Sequence, residues 1–287
     1  NKFLETQNRI KTIESQKSTL SSTILEATKA VLFVQVSYGY KDKKTNKFLR
    51  HISDDNGEII FSPYNIPLVT LEGKGPLVEL QSTGTAWIIN DKETFFVTNK
   101  HVVQPFDEKI DMQFISDGME QSILKILVYQ PNKKSPIETR IELISENDDL
   151  ALLKPTSSRK FENVLNLSKK VTNIGEEVFV IGYPLGLSPM IQLADKEFIL
   201  DFKKNKKPNF WKIAENLSLK GYIQPFVSRG IVSKVNNNYL NYDAETTTGG
   251  SGGPVLDIEG NVVAINTMIF KEFGGANIGI PTSKLKN

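Results

Sequence analysis

Cysteine is absent from the 287 residues, and only two histidines are present, His51 and His101. The first absence removes disulfides, thiolate nucleophiles, iron–sulfur clusters and cysteine-bound zinc, while leaving the cellular compartment open. The scarcity of histidine, with no H-E-x-x-H pair, argues against a histidine-rich zinc centre, so neither a metal nor an organic cofactor is expected. No stretch reaches the ~18 uninterrupted apolar residues that a bilayer crossing needs. Strong charge of either sign is also lacking. The formal net charge is +2, which leaves no electrostatic footprint for a nucleic-acid partner. The first residue is Asn1 rather than Met, so a processed or trimmed chain is expected, and a membrane tether upstream of residue 1 is one arrangement that fits.

What is present is an ordinary globular balance, 39% apolar and 24% charged, in a chain long enough for one large domain or two smaller ones. Residues 1–28 differ from the rest. Phe3, Ile10, Ile13, Leu20, Ile24 and Ala27 fall on a- and d-type heptad positions, Lys17 interrupts the stripe, and no Pro or Gly occurs before Gly39. The pattern predicts an amphipathic helix of roughly seven turns. Two readings stand: an oligomerising coiled coil or stalk, and a helix packed against its own domain.

From residue 29 the texture changes to short β-type runs, among them Val31–Val36, Thr85–Ile89, Phe95–Thr98, Leu124–Tyr129, Leu150–Leu153, Val178–Ile181, Val262–Ile265 and Ile278–Ile280. Many short strands with hardly any helical periodicity predict an all-β barrel or sandwich. Glu259-Gly260-Asn261 predicts a hairpin turn. Two segments break the rhythm. Residues 37–82 read as a long polar connection, and residues 189–226 as a basic, aromatic insertion. Within the insertion Phe210, Ile213, Ala214 and Leu217 predict a short amphipathic helix ending before Gly221. Insertions of this length act as lids or mobile loops.

The strongest chemical motif is Thr248-Gly249-Gly250-Ser251-Gly252-Gly253-Pro254. Acyl transfer needs a hydroxyl on a tight turn whose backbone N–H groups converge on one cavity, and glycine permits both the turn and the close approach. The motif also satisfies G-x-S-x-G, but an α/β-hydrolase needs its histidine after the serine, and both histidines lie before Ser251. A subtilisin-like order would need alternating strands and long helices. What remains is the order His, Asp, Ser. His101 ends the apolar run Phe95–Thr98, whereas His51 lies in the polar connection. Of the adjacent acids, Asp149 abuts the run Leu150-Ala151-Leu152-Leu153 and is taken as the orienting carboxylate, with Asp148 as an exposed turn residue.

These residues, with Gly84–Ile89, Ile181-Gly182-Tyr183-Pro184-Leu185-Gly186-Leu187, Ser228-Arg229-Gly230-Ile231-Val232-Ser233, Ala264-Ile265-Asn266-Thr267 and Asn277-Ile278-Gly279-Ile280-Pro281, resemble the protease domain of the HtrA/Deg family of trypsin-like serine proteases. The blocks run in the family's order over roughly residues 30–287. The resemblance implies two six-stranded antiparallel chymotrypsin-like β-barrels, the first about residues 29–155 and the second about 170–287. It places the triad on His101, Asp149 and Ser251. Gly250 departs from the family's usual Asn, the 189–226 insertion is unusually long, and a protease domain without a PDZ module is the expectation.

The expected activity is peptide-bond cleavage by a serine endopeptidase acting on protein or peptide substrates. The alternatives are a latent binding scaffold with an occluded site and an ester hydrolase. The backbone of Gly249, Gly250 and Ser251 is expected to form the oxyanion hole. Glu245, Thr246 and Thr247 on one side and Asn266, Thr267 and Met268 on the other are candidates for the specificity pocket, where a buried Glu245 would favour basic side chains. Family analogy implies a homo-oligomer acting outside the cytoplasm.

Overall fold

The computed structural model describes residues 2–106, 108–204, 209–270 and 276–286. The chain opens with α1 (Lys2–Thr28), β1 (Val31–Asp42), β2 (Arg50–His51), β3 (Val69–Thr70), β4 (Leu80–Ile88) and β5 (Phe96–Thr98). Then come α2 (Lys100–Val103), α3 (Glu108–Ser116), β6 (Met119–Tyr129), β7 (Ile137–Ile144) and β8 (Ala151–Pro155). The second half runs β9 (Glu177–Gly182), α4 (Leu187–Gln192), α5 (Lys196–Lys204), α6 (Phe210–Leu219), β10 (Phe226–Val235) and β11 (Leu240–Tyr242). It ends with β12 (Pro254–Leu256), β13 (Val262–Phe270) and β14 (Ala276–Pro281). Two closed antiparallel barrels result, ordered β1-β4-β5-β8-β7-β6 and β10-β11-β14-β13-β12-β9.

β1 explains why an unbroken apolar run opens the first barrel. Side chains alternate across a strand. Leu32, Val34 and Val36 enter the first barrel's core, while Val31 and Phe33 join a separate cluster that lies in the seam between the barrels. Trp87, Phe179, Ile181, Tyr183, Leu256 and Ile265 complete that seam. The second barrel has its own core around Val180, Tyr242, Val255 and Ala264. With both faces buried, the strand opens on the unbroken apolar run Val31–Val34, and even its polar Gln35 and Ser37 are buried.

The end of α1 docks into the seam as well, through Ile24 and Ala27 with Leu20 beside them. This is the packed-helix arrangement for its last turns. Ile10, further out, is 49% exposed, and the side chains of Phe3 and Ile13 lie outside the described residues. Truncating Ile24 removes a buried side chain from a packed junction, so Ile24→Ala is expected to lower stability by about 2–4 kcal/mol. Urea unfolding measures it.

The two insertions differ from their sequence reading. Residues 43–79 are a folded arm rather than a plain polar connection. β2 pairs with β3, further bridges join Ser53 to Ile59 and Phe61 to Pro67, and apolar side chains such as Tyr64, 86% exposed, face outward. Outward apolar residues carry no burial period, which is why the arm escaped prediction. The 189–226 insertion holds α5 and α6 and most of α4, where one helix was expected. α6 is capped by the Asn209 side chain, which accepts from the Trp211 and Lys212 amides at 3.0 and 3.2 Å. The insertion is tied to the first barrel: Gln35 donates to the Phe210 carbonyl at 3.0 Å, and the Ser218 hydroxyl to the Lys133 carbonyl at 2.7 Å.

Candidate active site

The seam places the ends of β5, β8, β9 and β13 around the nucleophile-like loop 248–253. Thr98 closes β5, and the chain turns at once into α2, which carries His101. Asn99 sits at that turn and donates its side-chain amide to the Asp149 carbonyl at 2.7 Å, linking the histidine turn to the segment before β8. Asp149, not Asp148, meets the ring: His101 Nδ1 lies 2.6 Å from Asp149 Oδ2. The backbone amide of His101 donates to Asp149 Oδ1 at 2.9 Å. Asp148 turns away to Lys284, 3.4 Å distant.

Thr267, on β13, joins acid to hydroxyl. Its side chain donates to Asp149 Oδ2 at 2.6 Å, and its carbonyl accepts from the Ser251 hydroxyl at 3.3 Å. Among the described residues no hydrogen bond joins Ser251 to His101; the serine rotamer directs the hydroxyl at Thr267 instead. Burial pushes the Asp149 carboxyl up, but it is outweighed by the hydrogen bond and charge of His101, the Thr267 hydroxyl and the His101 amide, and the carboxyl is held below the usual carboxylate value. Asp149 therefore stays ionised at neutral pH.

The loop around Ser251 fits against the first barrel with no spare room. Gly249 and Gly252 adopt left-handed φ of 95° and 87°, conformations that side chains with a Cβ avoid. At Gly252 a Cβ would fall 2.1 Å from the Thr85 carbonyl. Within this loop the amides of Gly249 and Ser251 have no acceptor among the described residues. Gly250, grouped with them from sequence, behaves differently: its N–H donates to the Thr247 carbonyl at 3.0 Å and closes a turn.

The specificity-pocket candidates separate into different roles. Glu245 is exposed, so the buried selector of basic side chains is not formed. Thr247 is exposed and Thr246 half-buried. Asn266 is buried and acts as a latch: its amide donates to the Gly250 carbonyl at 2.9 Å, and its Oδ1 accepts from the Tyr242 hydroxyl at 2.5 Å. Thr267 faces the carboxylate. The Met268 side chain lies outside the described residues. His51 sits on the arm, paired with Val69. Among the described residues no cluster of three metal-ligating side chains occurs. The supporting roles of Thr85, Asn99 and the Thr267 hydroxyl were not singled out from sequence, since they depend on which carbonyl or carboxylate the fold brings near.

Residues 84–265 match the trypsin-like peptidase domain. A probable periplasmic serine endoprotease, DegP-like, of Rhizobium meliloti is 28% identical over 200 residues, 70% of this chain and 30% of the relative. A protein of the same description from Hahella chejuensis is 30% identical over 205 residues, 70% of this chain and 33% of the relative. The chain thus spans about a third of the length of the curated relatives it matches. The crystal structure of the serine endoprotease from Yersinia pestis aligns with TM-score 0.52 at 19% identity, over 93% of this chain and 64% of that one, a likeness of fold. The matched segment contains His101, Asp149 and Ser251 together with most of both barrels, and this chain belongs to the trypsin-like peptidase family.

Proposed function

We propose that the chain is a serine endopeptidase that works through His101, Asp149 and Ser251. The observation that carries this reading is the run of contacts from the His101 ring through Asp149 and Thr267 to the Ser251 hydroxyl, beside two amides without acceptors among the described residues. In this reading a turn about χ1 of Ser251 to another staggered rotamer carries its Oγ away from the Thr267 carbonyl and toward His101 Nε2 for catalysis. Resting sites are often looser than loaded ones.

Ser251 Oγ then attacks the peptide carbonyl carbon while Nε2 takes its proton. The negative charge that develops on the carbonyl oxygen is met by the N–H groups of Gly249 and Ser251. As the tetrahedral centre collapses, the C–N bond breaks and Nε2 returns the proton to the leaving amine. Water repeats the sequence on the acyl-enzyme: Nε2 accepts its proton, the ester bond to Oγ breaks, and the serine hydroxyl is restored. Asp149 holds Nδ1–H throughout and stabilises the imidazolium.

Purified chain is expected to cleave casein and fluorogenic peptides; ester cleavage with no peptide turnover would assign the site to an esterase. A latent scaffold is the second reading, favoured by the Ser251 hydroxyl resting on Thr267. The names of the relatives support action outside the cytoplasm, and the outer half of α1 is proposed as an oligomerising or stalk segment, readable by sedimentation.

Thr267→Val removes a hydrogen bond to the ionised Asp149 and is expected to lower kcat about tenfold. The sign on stability follows. A carboxyl held low in the folded chain stabilises it above the ordinary carboxylate range, and that contribution disappears as the pH falls through the folded value. Losing the Thr267 hydroxyl raises the folded value, so acid unfolding followed by circular dichroism moves to higher pH.

A further inference from the structure

We infer that Thr85, a first-barrel residue outside the triad, is the positioning residue for the two oxyanion amides; this inference rests on the peptidase reading above. Thr85 is fully buried, and each of its polar groups is engaged across the seam or at the foot of the histidine turn. Its N–H donates to the Ser251 carbonyl at 3.0 Å. Its hydroxyl donates to the Gly249 carbonyl at 2.8 Å and accepts from the Tyr183 amide at 3.0 Å. Its carbonyl accepts from the Thr98 hydroxyl at 2.7 Å.

A trans peptide points its N–H opposite to its C=O, so an amide is aimed by whatever holds the carbonyl of the same peptide. The Gly249 amide shares a peptide with the Thr248 carbonyl, which accepts from Leu185 N at 2.5 Å. The Ser251 amide shares one with the Gly250 carbonyl, which accepts from Asn266 and from Gly253 N at 2.9 and 3.1 Å. Leu185 belongs to the turn that starts at Tyr183, where the Gly186 amide bonds the Tyr183 carbonyl at 3.2 Å. The Thr85 hydroxyl therefore binds both halves of the device: the turn that aims the Gly249 amide, and the carbonyl between the two oxyanion peptides.

The surroundings leave this link no substitute. A Cβ on Gly182 would lie 3.0 Å from the Thr85 hydroxyl and 3.3 Å from Gly250 Cα, and one on Gly249 would lie 2.6 Å from the Tyr183 carbonyl. Without the hydroxyl, a buried amide and a buried carbonyl both lose their partner, and each regains one by tilting its peptide. A side chain that both donates and accepts is required, and Val, of the same shape, does neither.

The experiment compares wild type, Thr85→Val and Thr85→Ser by kcat and KM on a fluorogenic peptide, and by affinity for a peptide boronic acid whose adduct places an oxygen at the amides. Thr85→Val is expected to lose about 10- to 100-fold in kcat, with KM within about twofold. Its boronate affinity falls by a similar factor, and Thr85→Ser stays within about threefold of wild type. Thr85→Ala takes the place of Thr85→Val should that variant fail to fold. Wild-type kcat in Thr85→Val, an equal loss in Thr85→Ser, or unchanged boronate affinity would overturn the inference while the active wild type keeps the peptidase reading. A wild type that neither cleaves peptide nor binds boronate would overturn both.

Discussion

Ser251→Ala is expected to lower kcat on peptide substrates by a factor on the order of 10⁵–10⁶. On the proposed mechanism the substitution removes the atom that would form the acyl bond, leaving as residual catalysis only what the Gly249 and Ser251 amides would give to a water attack. Little else changes. The hydroxyl's hydrogen bond in the described structure is the 3.3 Å contact with the Thr267 carbonyl, so stability should shift by less than about 1 kcal/mol. A folded, inactive variant is the expected product, and urea unfolding alongside turnover separates it from a misfolded one. A loss of only tenfold would mean that another group performs the attack.

The second large effect comes from a change of one atom. Asp149→Asn keeps the shape of the side chain but replaces one acceptor by a donor. Two positions are open to that donor. The position of Oδ1 faces the His101 backbone N–H at 2.9 Å, which can only donate, so the amide oxygen must stay there. The NH₂ therefore takes the position of Oδ2, facing His101 Nδ1 and the Thr267 hydroxyl, each at 2.6 Å. Facing a donor, Nδ1 must accept, and the ring proton moves to Nε2, where a base is needed. The tautomer is wrong for catalysis although the geometry survives, and kcat is expected to fall about 10⁴-fold. Steady-state kinetics at neutral pH measures it; a loss smaller than about tenfold would free Asp149 of the orienting role.

How much of this was legible before the coordinates depended on whether a residue's role is fixed by its own type or by its neighbours. The pairing of His101 with Asp149 ahead of β8, and the tight glycine turn that carries Ser251, were readable because acyl transfer, the chemistry proposed here, demands those residue types in one of few chain orders. The strands at Val31, Phe95, Val178, Val262 and Ile278 announced themselves by β-type apolar runs. The short helices α3 and α5 did not: nine residues each, they are too short to be stable alone and depend on tertiary docking and caps. Asp195 accepts from the Phe198 amide at 2.8 Å at the start of α5, a cap that is indistinguishable in sequence from any loop aspartate.

The site's supporting residues were illegible for a related reason. Asn266 and Thr267 were placed in the specificity pocket because they follow the right strand, yet one side chain latches the Gly250 carbonyl and the other holds the carboxylate. Glu245 could be read as a buried selector only by assuming burial, and the chain leaves it exposed. Thr85 lies in the Gly84–Ile89 block, but nothing in that block announces its role; its hydroxyl partners are the Gly249 carbonyl and the Tyr183 amide, brought near only by the fold.

The claim beneath all of this is that the hydroxyl of Ser251 is activated as a nucleophile within this fold. Incubation of the purified chain with a fluorophosphonate, followed by mass spectrometry of its peptides, reads that property at the atom concerned. One covalent adduct is expected, on Ser251, absent from Ser251→Ala and strongly slowed in Asp149→Asn. An unmodified Ser251 after prolonged exposure of folded protein in every oligomeric state, or an adduct mapped to another residue, would contradict it.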